Sequence, residues 1–110
     1  PDHTIANLQS LLFMLEHGAR GWIFGENYIW TAIRNDKVRI EGAGDVAVFC
    51  PDGTAQGVWI KGLKYELENA ELKSSFPLGV SNSFEDICAE IGVQNGALLI
   101  MYDIKVNEID

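Results

Sequence analysis

No uninterrupted apolar run in this chain approaches the ~20 residues that a membrane-spanning helix needs, and no cationic and apolar leader opens it. The chain is therefore expected to be soluble and cytoplasmic, without a membrane partner. Cysteine is scarce: Cys50 and Cys88 are the only two, they lack the short C-x-x-C spacing of a metal site, and both lie in apolar, strand-like surroundings. Buried free thiols are the expectation. Basic residues are also few. Eight Lys and Arg stand against sixteen Asp and Glu, giving a formal net charge of -8, and the eight form no continuous run. A field of that sign repels phosphate backbones, so nucleic acid is not an expected partner. The common one-line signatures are missing too: no G-x-x-x-x-G-K-[ST] loop, no G-x-G-x-x-G, no H-E-x-x-H and no G-x-S-x-G elbow.

What is present is enough for one globular domain. The 110 residues are 47% hydrophobic and 22% charged, within the range of chains that bury a core without disulfide or metal staples. Between Thr4 and His17 the residues Ile5, Leu8, Leu11, Leu12 and Leu15 recur at spacings of three and four, the stripe of an amphipathic helix. Asp2 or Thr4 can cap its start, and Gly18 stands where a left-handed residue would end it. His17 suits the negative end of the helix dipole.

After Gly18 the period changes to two. Short β-branched and aromatic segments follow: 21–24, 28–34, 37–41, 45–50, 57–60, 70–75, 78–82, 86–91 and 97–105. Turn residues separate them at Gly25-Glu26-Asn27, Asn35-Asp36, Gly42-Ala43-Gly44 and Pro51-Asp52-Gly53. Asn95-Gly96 carries the strongest hairpin signal. The pattern predicts a mainly β fold, an antiparallel β-sandwich or partly open barrel of eight or nine strands joined by hairpins, preceded by one amphipathic helix. That helix has no second helix to cover its apolar face, so it belongs to an upstream α/β domain or packs on the sandwich. Trp22, Trp30 and Trp59 sit in strand patterns, as core or interface packing.

The informative stretch runs from Gly62 to Phe84 and reads GLKYELENAELKSSFPLGVSNSF. Read locally, Ser81 and Asn82 are either turn residues bonding nearby backbone, with Phe84 filling the core, or a pair of polar groups beside an aromatic ring. With its Gly62-Leu63-Lys64-Tyr65 segment, then Leu67, Leu72, Ser81, Asn82 and Phe84, the stretch resembles the C-terminal β-domain of thiamin pyrophosphokinases. The opening residues Asp2, His3, Asn7 and Leu8 are similar to that family's aspartate-histidine motif, which ends its nucleotide-binding domain. The glycine and arginine that usually precede the aspartate are absent, and Ser83 stands where many members carry a larger or acidic residue.

The resemblance implies an enzyme that moves pyrophosphate from ATP to thiamin with Mg2+, releasing AMP, and that works as a homodimer. It divides the chain into residues 1–18, the last helix of the nucleotide-binding domain, and residues 19–110, the thiamin-binding β-domain. On that basis Ser81 and Asn82 are polar contacts to thiamin and Phe84 is its ring neighbour. Asp2 is the catalytic and metal-binding carboxylate, with His3 and Asn7 supporting the phosphate side. Lys64 is expected as a strand-surface lysine. The isolated chain is expected to be inert, because ATP and most of the Mg2+ site belong to the missing domain. An Asn82→Ala chain is expected to lose turnover while melting almost as before. The alternative is a stand-alone β-sandwich module that binds a small molecule or another subunit, with no dependence on ATP or magnesium.

Overall fold

A computed structural model describes residues 2–74 and 80–103, with the side chains of residues 2–8, 80 and 81 outside that description. Helix α1 spans Asp2–Glu16. It ends as the sequence predicts: Gly18 takes φ +79°, and the Ala19 and Gly18 amides donate back to the Met14 and Leu15 carbonyls. His17 closes the last turn by donating from Nδ1 to the Phe13 carbonyl at 3.0 Å.

Nine strands follow: β1 (Trp22–Phe24), β2 (Tyr28–Arg34), β3 (Lys37–Glu41), β4 (Asp45–Phe49), β5 (Thr54–Lys61), β6 (Leu67–Lys73), β7 (Val80–Ser83), β8 (Cys88–Asn95) and β9 (Ala97–Asp103). They form two sheets, β1-β2-β9-β4-β7 and β3-β8-β5-β6, in which every paired neighbour is antiparallel. The fold is a sandwich. Ser75 and Leu78, and the expected end of the last strand at Ile104 and Lys105, lie outside the described residues.

The period-two pattern works as the sequence predicts. Ile33, Val46, Val48, Leu98 and Ile100 of the first sheet meet Val38, Ile40, Val58, Ile60, Ile91 and Val93 of the second, all buried in one core. Burying each such side chain contributes about 1.5–3 kcal/mol. A second cluster lies on the other face of the first sheet. There Leu11, Leu12 and Leu15 of α1 cover Ala32, Leu99, Ile23, Trp30 and Phe49. The helix thus finds its partner layer on the sandwich itself. Trp30 stacks on Phe49 at 6.1 Å, while Trp22 on β1 remains exposed.

The hairpin expectation needs correction. Of the five turn signals named above, only Gly25-Glu26-Asn27 joins two strands that pair with each other, β1 and β2. Asn35-Asp36, Gly42-Ala43-Gly44, Pro51-Asp52-Gly53 and Asn95-Gly96 are corners at which the chain passes from one sheet to the other. Two corners clasp: Asn35 N donates to the Gly96 carbonyl at 3.0 Å, and Gly96 N donates to Asn35 Oδ1 at 2.8 Å. A β-carbon on Gly96 would lie 2.7 Å from the Thr54 carbonyl oxygen, so glycine is needed there for close approach to β5 as well as for its φ of +117°.

Candidate functional site

Strand β7 carries Ser81 and Asn82 at the edge of the first sheet, paired on one side with β4. On its free side lies the 62–66 loop that joins β5 to β6. Leu63 bridges Phe84, and Lys64 N donates to the Ser83 carbonyl at 2.8 Å. Gly62, at φ +88°, accepts from the Glu85 and Asp86 amides, and its own amide donates to Glu66 Oε2.

Asn82 completes the clamp. Its side chain is on the inner face of the strand and only 8% of the residue is exposed. Oδ1 accepts from the amides of Tyr65 at 2.8 Å and Ser83 at 3.1 Å, and Nδ2 donates to the Tyr65 carbonyl at 2.6 Å. An amide side chain has two acceptor lone pairs and two N–H groups, so one N–H is left for any ligand. These three bonds argue against the expectation that Asn82 can be removed at no cost to stability, because the side chain substitutes for backbone in holding Tyr65. Tyr65 itself is 57% exposed, and the exposed Lys64 places Nζ 5.4 Å from its ring centroid.

Phe84 shares the inner face with Asn82 but packs half-buried against the main core. A β-carbon on Gly42 would stand 3.1 Å from its ring. Ser81 lies in β7 opposite Ala47, and its side chain is outside the described part. Asp2, His3 and Asn7 fall within α1, with their side chains also outside it. The structure thus brings Asn82 and Phe84 together and leaves the spatial relation of the opening motif to β7 open.

Beside β7 the outer half of the first sheet that α1 leaves bare forms a groove of about 300 Å³. Tyr28, Asp45, Val46, Ala47, Asn82 and Met101 line it, contributed by β2, β4, β7 and β9. Asp45 is the one charged residue among them. On the core side of β9, burial pushes the Tyr102 phenol above its ordinary range. None of Tyr28, Asp45 and Met101 stands out in the sequence, because only the register of four strands brings them together.

Elsewhere Cys50 and Cys88 are free thiols, both half-buried. Among the described residues no group of three or more His, Cys, Asp or Glu side chains is able to hold a metal ion, and no helix is long and apolar enough to cross a membrane.

The molecule is a two-sheet antiparallel β-sandwich whose edge strand carries a serine-asparagine pair beside a groove with one aromatic lining residue, Tyr28. The family model for the vitamin B1 binding domain of thiamin pyrophosphokinase matches residues 37–98, more than half of the chain, and the chain belongs to that family. Its fold is similar to that of solved thiamin pyrophosphokinases. Against the Bacillus subtilis protein the TM-score is 0.84 at 16% identity, covering 94% of this chain and 50% of that one. The Geobacillus thermodenitrificans protein gives 0.80 at 18%, covering 93% and 48%, and the yeast protein 0.74 at 16%, covering 94% and 36%. This chain therefore spans about half or less of the length of these relatives. No curated protein sequence matches it significantly.

Proposed function

We propose that this chain is the thiamin-binding part of a thiamin pyrophosphokinase, an enzyme that transfers pyrophosphate from ATP to thiamin to give thiamin diphosphate and AMP. The observation that carries this reading is the family match over residues 37–98, which takes in β3 to β8 and with them the clamp between Asn82 and the 62–66 loop. The sandwich is then a rigid acceptor platform. Thiamin joins an aminopyrimidine to a cationic thiazolium, so its site needs flat apolar contact and a few fixed polar groups. Ser81 and the remaining N–H of Asn82 serve as polar contacts, and Phe84 supports the ring neighbourhood from the core side.

On this reading residues 1–18 are the last helix of a nucleotide-binding domain, and residues 19–110 form the acceptor domain. Phosphoryl transfer depends mainly on positioning and charge neutralisation, so this chain's share is to hold the acceptor hydroxyl in place and exclude water around it. ATP and magnesium belong to the rest of the enzyme. The described residues offer no metal cluster, and Asp2, with His3 and Asn7 in support, is the chain's one proposed contribution on the magnesium side. Alone, the chain is inert. The enzyme acts in the cytoplasm as a homodimer, a reading supported by Trp22 and Phe24, large aromatics left exposed on edge strand β1.

The test is product analysis on the full-length gene product with ATP and magnesium, with and without thiamin. AMP that appears only with thiamin is the expected result. A folded, magnesium-loaded protein that yields no thiamin-dependent AMP overturns the reading in favour of a stand-alone binding module.

A further inference from the structure

The second sheet carries a cleft of about 430 Å³ that the reading above does not use. Val58 and Ile60 of β5 enter the core, so Trp59 and Lys61 between and beyond them face outward, and the cleft lies on that outer face. Trp59 is its one aromatic lining residue and is paired in register with Gly92 of β8. A β-carbon on Gly92 would collide with Cε2, Cζ2 and Cη2 of the indole at nearly equal distances, so the ring lies face-down on the glycine rather than edge-on. Its Nε1 donates to Glu90 Oε2 at 2.8 Å, which fixes its rotation. The residue is half-buried, and what the ring shows to the cleft is its outer face. Nearby, Gly57 takes φ +67°, and a β-carbon there would stand 2.8 Å from the Gln94 side chain. Glycine in two adjacent strands is what lets Trp59 and Gln94 lie down on the sheet.

We propose that this cleft binds an uncharged pyranose sugar, stacked through its C–H face on Trp59 and held at its hydroxyls by the side chains around the indole. The C–H groups on one face of a pyranose carry slight positive charge, which suits the negative face of an aromatic ring. Its hydroxyls each donate and accept, and the cleft offers both: amides on Asn69 and Gln94, carboxylates on Glu68 and Glu90, and an ammonium on Lys61. One cation stands against two carboxylates, with Lys61 directly opposite Glu90, so the lining has no positive excess to hold a phosphate. A heterocyclic base would be held by its two apolar faces, whereas this cleft has an apolar surface on one side and five polar or charged residues for the rest. The volume lies within the range of small-ligand pockets. The proposal is independent of the thiamin reading, which concerns the other sheet.

The experiment is a titration of the 15N-labelled full-length gene product with methyl β-glucopyranoside, methyl β-galactopyranoside and cellobiose, following the indole N–H signal that disappears in Trp59→Ala. Sorbitol, which has the hydroxyls without the ring face, and adenosine, which has a flat base, are the comparison ligands. The expected result is a saturable shift of the Trp59 signal with at least one of the three sugars and none with sorbitol at equal concentration. Gln94→Ala and Asn69→Gly test the rim, since both residues are exposed and glycine keeps the φ of +53° that Asn69 adopts. Each should melt as wild type and bind the sugar about two- to tenfold more weakly, the worth of one hydrogen bond. No saturable shift with any of the three sugars overturns the proposal, as does an equal response to sorbitol. Saturable binding of adenosine alone overturns it in favour of a base-stacking site, and sugar affinity unchanged in both rim variants overturns the assigned contacts.

Discussion

Replacing Asn82 with alanine removes three hydrogen bonds at once, two to Tyr65 and one to the Ser83 amide. A typical intramolecular hydrogen bond contributes about 0.5–1.5 kcal/mol net. The loop end is exposed, so water replaces part of what is lost at Tyr65, and the sum expected for Asn82→Ala is about 2 kcal/mol. For a domain near this size, 1 kcal/mol shifts Tm by about 4 °C, so the melting point should fall by about 8 °C. Tyr65→Ala is the internal comparison. Its side chain is 57% exposed and the clamp bonds only its backbone, so that variant should melt within about 2 °C of wild type. The assay is paired thermal and urea unfolding of wild type and both variants. An unchanged urea slope would show that the denatured state is not the source of the difference. Equal melting points for Asn82→Ala and wild type would refute the clamp, and a large loss in Tyr65→Ala would move the stability from the amide to the ring.

Three more substitutions probe the same framework. Gly62→Ala puts a β-carbon against the Cys88 carbonyl at a φ of +88°, so the 62–66 loop must rearrange; a loss of about 3 kcal/mol or more is expected, read as a fall in urea midpoint. Gly92→Ala drives a β-carbon into the Trp59 indole, which lies against that glycine and donates from Nε1 to Glu90 at 2.8 Å; a loss of about 1–3 kcal/mol with a changed tryptophan emission maximum is expected. The same indole bond, followed by Lys37, Lys61 and Arg39, holds the Glu90 carboxyl below its ordinary range. A depressed folded-state value means that this contribution is present above the unfolded carboxylate range and is lost as pH falls through the folded value, so Glu90→Gln should flatten the acid limb of the stability profile. A wild-type advantage over Glu90→Gln that stays constant from pH ~7 down to pH ~3 would contradict that assignment.

The helix and its glycine stop were legible because both depend on residues within one turn of each other. Strand existence was legible for the same reason: alternation such as Val38 and Ile40 against Lys37, Arg39 and Glu41 is local. Pairing is not local. Asn95-Gly96 states that the chain turns, but the partner that clasps Gly96 is Asn35, sixty-one positions away, and nothing at either end names the other. Asn82 likewise stood out as a residue type, whereas its commitment to Tyr65 depends on how the 62–66 loop closes against β7. The groove was the least visible feature. Tyr28, Asp45 and Met101 become neighbours only when β2, β9 and β4 lie side by side.

The place of β9 bears on how the chain is made. It is the last strand in sequence among those described, yet it lies in the middle of the first sheet, paired with β2 on one side and β4 on the other. On the ribosome, β1 to β8 emerge before the strand that joins them, and the two halves of that sheet wait with unpaired edges. Vectorial synthesis therefore gives little head start here, and the first sheet closes only once residues 97–103 have left the exit tunnel.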